Sequence, residues 1–274
     1  MQQTISCRGK LISLDTPLLM GILNATPDSF YDGGKYRNEK DILTQVEKML
    51  NDGATFIDIG AYSSRPGATH ISEEEELQRI VPVITLLRNA FPDILISIDT
   101  FRSSVAKTCV EAGAALINDI SAGEMDSNMF KTIGELNVPY IMMHMQGTPQ
   151  NMQQNPTYNN VTQDVLYYFS KKIALARQYN INDIIIDPGF GFGKTTAHNY
   201  QLLSDLELFI NVKLPILVGA SRKSMIYNTL KTDSENALNG TTVVNTLALH
   251  KGASILRVHD VKEAMECVTL VNQL

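Results

Sequence analysis

The sequence predicts an α/β protein built as a (β/α)8 barrel, and three observations lead to that prediction. Eight short apolar runs are spread along the 274 residues, and each is continuous rather than alternating, which is typical of parallel strands covered on both faces. Amphipathic stretches with helical spacing separate the runs. The chain length is close to the roughly 250 residues of an α/β barrel. With 44% hydrophobic residues and no linker or shift in composition, we expect one domain over residues 1–274.

The predicted strands and helices alternate from residue 18 to residue 270. The strands are predicted at Leu18–Leu23, Phe56–Ile59, Ile94–Ile98, Ala115–Asn118, Tyr140–Met143, Ile184–Asp187, Ile216–Val218 and Ile255–Val258. The helices are predicted at Asp41–Leu50, after Ser72, and at Ser103–Ala112, Ser127–Leu136, Val161–Tyr179, Asn199–Ile210, Glu235–His250 and Val261–Leu270. Ser72 followed by Glu75 resembles a capping box, which marks a helix start. An open, doubly wound sheet is the alternative that the alternation leaves open.

Residues 4–14 precede the first strand of the barrel and read as a β-hairpin. Two short strand-like stretches flank Arg8–Gly9, where we predict the turn. We expect this hairpin to close the bottom of the barrel, at the N-terminal ends of its strands.

Composition and charge argue against several kinds of partner. The formal net charge is −6 with no basic run, so binding to nucleic acid or to an anionic membrane surface is not expected. The first ten residues have no apolar stretch behind a basic start, and nowhere do about 18 apolar residues follow one another. Cys7, Cys109 and Cys267 are far apart without metal-type spacing, which is typical of reduced thiols. We therefore expect a cytoplasmic protein.

Polar side chains collect where the predicted strands end, which is where barrel enzymes carry their chemistry. Asp99, Asn118 and Asp187 would offer two carboxylate acceptors and an amide with both a donor and an acceptor. Such a trio suits a flat heterocycle with an amidine-like edge. Asn24, at the end of the first barrel strand, would supply an oxygen to a substrate or to Mg²⁺, which needs few protein ligands when substrate phosphates are present.

Cations or potential cations follow the same strand ends, and they suit a phosphate or diphosphate. They are Arg65, Lys194, Arg222, Lys223, Arg257 and His259. Lys194 is either part of this group or a solvated loop lysine. Asp58 is either a site residue or a core acid that binds loop backbone. Asp119 and His144 are expected to be structural.

Seven motifs carry a resemblance to the dihydropteroate synthases, which are folate-pathway enzymes that bind pterins. In chain order they are MGILNATPDSFYDGG, DIGAYSSRPGA, SIDTFR, INDISA, DPGFGFGKTTAHN, GASRKS and RVHDV. The resemblance covers nearly the whole chain. It implies a (β/α)8 barrel that joins 6-hydroxymethyl-7,8-dihydropterin diphosphate to 4-aminobenzoate, releases diphosphate, requires Mg²⁺, forms a homodimer and is the target of sulfonamides.

The resemblance also implies a role for each matching residue. The pterin pocket would be formed by Asp99, Asn118, Met143, Asp187, Lys223 and Arg257. The diphosphate site would be formed by Asn24, Arg65, Arg257 and His259, with Asn24 as the metal ligand. The aminobenzoate pocket would be formed by Phe30, Ser64, Pro66, Phe190, Gly191 and Ser224. The residues implied in catalysis are Asp32, Asp99, Asp187 and Lys223.

Three other functions remain open at this point. A barrel aldolase would use Lys223 as a Schiff-base lysine. A pterin-binding methyl-transfer domain shares the Asp/Asn pocket but is expected to lack the loop phenylalanine and the SRPG and SRKS segments. A catalytically silent paralogue would bind pterin without turnover. One departure from the resemblance is Tyr62, which stands where relatives carry a glutamate; the other is Ser64, which keeps the hydroxyl of their threonine.

Overall fold

A computed structural model describes residues 3–24, 35–62 and 71–274, and it describes only the backbone of residues 35–38. The chain opens with the predicted hairpin, in which β1 (Thr4–Cys7) pairs antiparallel with β2 (Lys10–Ser13). Both turn residues have positive φ, 50° at Arg8 and 76° at Gly9. A glycine at the second position accommodates this turn without steric cost.

Eight parallel strands follow, and all eight predicted runs contribute one each. They are β3 (Leu18–Asn24), β4 (Phe56–Gly60), β5 (Leu95–Asp99), β6 (Leu116–Asp119), β7 (Tyr140–Met143), β8 (Ile184–Asp187), β9 (Leu217–Val218) and β10 (Ile255–Val258). The strands β3 to β8 lie side by side in chain order, and β10 lies between β3 and β9. A parallel bridge between Ile186 and Ile216 links the two remaining edges. The sheet is therefore a barrel, and the open-sheet alternative is wrong.

Helices cover the outside of the barrel in the described part of the chain. They are α1 (Lys35–Asn51), α2 (Glu73–Ala90), α3 (Ser103–Glu111), α4 (Met129–Leu136), α5 (Val161–Gln178), α6 (Thr196–Ser204), α7 (Ser224–Leu230), α8 (Leu238–His250) and α9 (Val261–Val271). The Ser72 hydroxyl accepts the Glu75 N–H at 3.1 Å, as a helix cap does.

Several helices differ from the sequence prediction. Helix α1 begins at Lys35, six residues before the predicted start at Asp41. The predicted helix 199–210 is divided into α6 and a 3-10 helix, Leu206–Val212. Asp205 stands at the break, and its carboxylate accepts the hydroxyl of Thr162 at 2.7 Å, which ties the break to α5. The short helix α7 was not predicted, because the polar SRKS segment at its start reads as a loop.

Alternation along the strands divides their side chains between two cores. One set faces the helices and forms the large outer core. The other set points into the barrel, where its lowest layer is Met20, Phe56, Leu95, Leu116, Ile141, Ile185, Leu217 and Ile255. Ile5, Cys7 and Leu14 of the hairpin region belong to the same cluster. The Ser6 N–H donates to Asp183 at 2.9 Å, just before β8, so the hairpin closes the bottom of the barrel as predicted.

No helix within residues 3–24, 35–62 and 71–274 has the length and apolar character needed to cross a membrane. The three cysteines are free and buried. Cys109 and Cys267 lie on helices within the outer core.

Candidate active site

The floor of the candidate site is the second inward layer of the barrel. Since side chains alternate along a strand, the positions two residues beyond the lowest layer also point inward. That layer consists of Ile22, Asp58, Ser97, Asn118, Met143, Asp187, Gly219 and Arg257. Polar and charged groups therefore replace the apolar filling at this level, and they face the C-terminal end of the barrel.

An ionic network centred on Arg257 crosses this floor. Its Nε donates to Asp58 Oδ2 at 2.6 Å, and one terminal nitrogen donates to Asp99 Oδ2 at 2.9 Å. Asn118 Nδ2 donates to the same oxygen of Asp58 at 3.2 Å. Burial raises the pKa of Asp99, and the positive charge of Arg257 opposes that shift. Asp58, which the sequence left open, is thus the buried counter-ion that orients two pocket residues.

Asp187 and Lys223 face each other across the open side of Gly219. A β-carbon at Gly219 would lie 3.9 Å from Asp187 Oδ2, 4.0 Å from Lys223 Nζ and 3.8 Å from the β-carbon of Arg257. The missing side chain therefore leaves space on which three charged residues converge. Burial raises the pKa of Asp187 against the effect of Lys223, and burial lowers the pKa of Lys223 to about 8 against the effect of Asp187.

The loop after β8, residues 188–195, carries Lys223's other contacts. Lys223 Nζ donates to the carbonyl of Phe190 at 2.6 Å and lies 4.5 Å from the centre of the Phe192 ring. Phe190 is fully buried in the outer core, so it meets the site through its backbone. Gly191 has a φ of 82°, and its open side faces the Lys223 side chain. The backbone of this loop therefore holds the lysine in place.

His259 and Asn24 lie above the floor. The Nδ1 atom of His259 is 3.2 Å from the hydroxyl of Ser221. Partial desolvation, with the positive charge of Arg257 beside it, lowers the pKa of His259 below its ordinary value. Asn24 ends β3 with an exposed side chain.

Two of the predicted cations have other roles. Arg222 makes two bonds to the Asp260 carboxylate, at 2.8 and 2.9 Å, and further bonds to loop carbonyls, so it braces the loop that precedes α8. Lys194 is only 3% exposed, so the alternative of a solvated lysine is wrong. Sequence patterns missed its burial because a lysine after a glycine-rich segment usually reaches water.

The wall beside β7 is apolar. Met143 belongs to a buried cluster with Phe101, Ile120, Met145 and Met152, against which Tyr62 and Phe192 pack. Tyr62 meets the Phe101 ring edge-to-face at 5.0 Å and accepts a bond from Gln150 at 2.9 Å. The tyrosine that departs from the resemblance is therefore integrated into this wall.

The structural expectations for Asp119 and His144 are confirmed. Asp119 is fully buried and accepts the hydroxyl of Tyr140 at 2.6 Å and the N–H groups of Ser121 and Gly123 at 2.7 Å. His144 is 6% exposed.

Five predicted residues lie outside the described part of the chain: Phe30, Asp32, Ser64, Arg65 and Pro66. Ser224 is described, as the first residue of α7. Gly219 and Ser221, both within the GASRKS segment, also border the candidate site, although the sequence analysis gave them no role; counting alternate positions from the lowest layer would have found Gly219.

The fold and this site define a class: a parallel barrel that carries buried acids and an arginine at its mouth, a lining that suits a flat polar heterocycle. The family profile described as "Pterin binding enzyme" matches residues 20–259. A dihydropteroate synthase of Haemophilus influenzae is 46% identical over 254 residues, which are 92% of each chain.

Solved structures agree with the sequence comparison. A dihydropteroate synthase of Yersinia pestis with a sulfonamide drug complex is 42% identical, with a TM-score of 0.92 over 99% of this chain and 98% of that one. The Xanthomonas albilineans dihydropteroate synthase with 4-aminobenzoic acid is 36% identical, with a TM-score of 0.92 over 100% of this chain and 98% of that one. The chain belongs to the pterin-binding enzyme family and, within it, to the dihydropteroate synthases, which are transferases.

Proposed function

We propose that this protein joins 6-hydroxymethyl-7,8-dihydropterin diphosphate to 4-aminobenzoate, giving 7,8-dihydropteroate and diphosphate. The observation that carries the proposal is the space beside Gly219, which is bordered by Asp187 Oδ2, Lys223 Nζ and the β-carbon of Arg257. Flat heterocycles need such a slot, with acceptors for their ring N–H groups at its end.

Pterin recognition divides among the floor residues and Asp99, which lies two positions beyond Ser97 on β5. Asp99 and Asp187 accept from ring and amino N–H groups, while Asn118 has both a donor and an acceptor for the same edge. Asp58 holds Arg257 and Asn118 in position from below. Met143 and the Arg257 guanidinium supply the surfaces against the ring faces.

The transfer exchanges a C–O bond for a C–N bond. The bond from the pterin methylene carbon to the diphosphate oxygen breaks, and its electron pair leaves with the diphosphate. The lone pair of the aminobenzoate amine forms the new bond, and the amine then loses a proton. Positive charge develops on the pterin, where Asp99 and Asp187 stabilise it electrostatically, while Arg257 and His259 donate to the departing anion.

Mg²⁺ fits the donors at this end of the barrel. In the described residues no group of three His, Cys, Asp or Glu side chains forms a metal cage. Asn24 nevertheless has an exposed amide oxygen, which suits a Mg²⁺ held mainly by water and diphosphate. When bound, the ion would neutralise charge on the diphosphate.

The aminobenzoate pocket is proposed from the resemblance together with the X. albilineans structure, which is titled with 4-aminobenzoic acid. Its proposed residues are Phe30, Ser64, Pro66, Phe190, Gly191 and Ser224, with Asp32 near the reacting centre and Arg65 on the diphosphate. The Y. pestis structure contains a sulfonamide, and we propose the same pocket as the sulfonamide site of this chain.

Diphosphate release by the purified protein tests the proposal. We expect release that requires the pterin diphosphate, 4-aminobenzoate and Mg²⁺ together, with dihydropteroate as the product. Pterin binding without turnover would indicate the silent paralogue or methyl transfer instead. Irreversible labelling of Lys223 by borohydride with a carbonyl substrate would support the aldolase.

We also propose a cytoplasmic homodimer that pairs through α8 and α9. Three large apolar side chains on these helices are exposed: Val243 (53%), Leu247 (43%) and Leu270 (70%). Sedimentation should give the mass of two chains, and Leu247→Glu should give the mass of one. Tyr167→Glu on α5, where the tyrosine is 64% exposed, is the matched control and should remain a dimer. A monomeric wild type would overturn this assembly.

A further inference from the structure

Lys194 is a buried lysine that the proposed reaction does not use; burial lowers its pKa to about 7, and Asp187 opposes that shift. Its Nζ lies 2.9 Å from His144 Nδ1 and donates to three carbonyls, those of His144 at 3.2 Å, Gly189 at 3.0 Å and Phe192 at 3.0 Å. Carbonyl oxygens can only accept, so this cage suits an ammonium with three N–H donors. Burial of such a group is costly, and the hydrogen bonds of this cage offset part of that cost.

These bonds fasten the loop after β8 to the end of β7. Gly189 approaches the His144 carbonyl so closely that a β-carbon would lie 1.9 Å from its oxygen, and Gly189 has a φ of 75°. Only glycine suits both conditions. The loop therefore follows a path on which Lys194 Nζ reaches two of its carbonyls and the strand end together.

The same loop holds two residues of the proposed pterin pocket. The Gly189 N–H donates to Asp187 Oδ1 at 2.8 Å, and the Phe190 carbonyl accepts Lys223 Nζ at 2.6 Å. Gly189 and Phe190, which make these contacts, lie within two residues of the carbonyls of Gly189 and Phe192 that Lys194 Nζ binds. A shift of the loop would therefore move the carboxylate and the ammonium relative to each other.

We propose that Lys194, clamped by His144, is a positioning residue: it fixes the loop after β8 and thereby sets Asp187 and Lys223 around the pterin ring. This inference rests on the proposed function, since it assigns the pterin to that pocket. Lys194 itself does not touch the ligand.

The charge of Lys194 also acts on Asp187. Burial raises the pKa of Asp187, and Lys223, Arg257 and Lys194 oppose that shift. Of these cations, Lys194 lies on the loop after β8, Lys223 on the loop after β9 and Arg257 on β10. Removal of the Lys194 charge should raise the pKa of Asp187 further, so its carboxylate would become protonated at a higher pH.

The test measures binding of 6-hydroxymethylpterin, which lacks the diphosphate, by its own fluorescence between pH 5 and pH 8. We expect Lys194→Met to weaken binding at least tenfold at pH 6, below the Lys194 pKa of about 7, where the wild-type lysine is charged. The fall in affinity on the acid side of the profile, its acid limb, should move to higher pH. Lys194→Arg keeps the charge, so its acid limb should stay at the wild-type position even if its affinity falls. Protonation of the pterin itself affects all variants equally, so it does not produce a difference between their acid limbs.

Tyr158→Phe is the matched control, because the Tyr158 hydroxyl also donates to this loop, to the Gly193 carbonyl at 2.7 Å. It should leave both the affinity and the acid limb unchanged. If Lys194→Met does not fold, His144→Leu carries the test, with an expected loss of several-fold.

Two outcomes overturn the positioning role. In the first, folded Lys194→Met binds the pterin with wild-type affinity and a wild-type acid limb. In the second, Tyr158→Phe loses as much pterin affinity as Lys194→Met, which would mean that loss of any contact to the loop has this effect. Failure of the wild-type protein to bind the pterin would instead contradict the proposed function.

Discussion

Asp58 and Arg257 form a buried ion pair at the centre of the barrel, with Nε of the arginine 2.6 Å from Oδ2 of the aspartate. Asp58 is fully buried, and its other oxygen has no hydrogen-bond partner within the described residues. A buried pair of this kind contributes little net stability, but loss of one partner leaves a buried charge uncompensated. The pair therefore serves chiefly to orient the guanidinium toward Asp99 and the pocket.

Asp58→Asn tests this role. We expect the free energy of unfolding to fall by about 2–4 kcal/mol, because Arg257 keeps its burial and loses an anionic partner. Urea unfolding measures the change, and pterin affinity should fall with it.

Asp93→Asn is the control, since the exposed Asp93 pairs with Lys10 at 2.8 Å on the surface. Exposed ion pairs contribute little, so its unfolding curve should match the wild type. Equal curves for Asp58→Asn and the wild type would show that Arg257 does not depend on the pair.

The sequence was sufficient for the barrel because its apolar runs are continuous, as in strands covered on both faces, and alternation of side chains along each strand then divides them between the interior and the helices. The polar second-layer residues Asp58 and Ser97 lie within the runs FIDIG and LISID. Both runs are still recognisable as strands, since their outward positions stay apolar. The same alternation assigns Asp58 to the interior. It does not say that Asp58 is paired with Arg257, because the two residues are 199 positions apart and meet only when the barrel closes.

The burial of Lys194 lay beyond the reach of sequence reasoning for a different reason. Its burial depends on the close approach of Gly189 to His144, which is a property of the folded loop. Local patterns contain no signal for three backbone carbonyls that converge on one amine. The break at Asp205 is similar, because its partner Thr162 lies on another helix.

Asp187→Asn should weaken binding of the pterin diphosphate by roughly 2–4 kcal/mol, about 30- to 700-fold in Kd, since a charged acceptor is lost at nearly constant size. Isothermal titration calorimetry measures this. Burial raises the pKa of Asp187, so its negative charge does not stabilise the folded state. The free energy of unfolding in urea should therefore not decrease in Asp187→Asn. Unchanged affinity would remove Asp187 from the pocket.

Gly219→Ala should fill the proposed slot. The added methyl group would stand 3.8–4.0 Å from Arg257, Asp187 and Lys223, which is ordinary contact distance, so the fold tolerates it. A bound ring would lose that space, and we expect the KM for the pterin diphosphate to rise about tenfold or more, an effect of roughly 1.4 kcal/mol or more. Steady-state kinetics together with thermal unfolding separate the two effects. An unchanged KM would mean that the ring lies elsewhere.

His144 should make stability depend on pH. Burial, with help from Lys194, lowers the pKa of His144 to about 2 in the folded protein. The unfolded chain takes up a proton near the ordinary value of about 6.5, so stability from this group is present above that pH and is lost as the pH falls toward 2.

Urea unfolding of His144→Leu and the wild type measures the difference in slope. Between pH 5.5 and pH 4 the wild type should lose roughly 1.4 kcal/mol more per pH unit than the variant. Above pH 7.5 the two profiles should run parallel, because neither folded nor unfolded His144 then binds a proton. Parallel profiles at acid pH as well would mean that the folded protein protonates His144 readily.

Asn24→Ala should raise the Mg²⁺ concentration needed for half-maximal activity about tenfold, roughly 1.4 kcal/mol of ion binding, because the proposed ion would lose its protein oxygen. Asn24→Asp retains an oxygen and should need no more Mg²⁺ than the wild type. Binding of 6-hydroxymethylpterin should be the same in all three proteins, since the amide lies above the ring pocket. Asn211→Ala, on the exposed 3-10 helix, controls for loss of an amide elsewhere. If Asn24→Ala loses pterin affinity and keeps its Mg²⁺ requirement, Asn24 contacts the substrate directly and the metal is held by other groups.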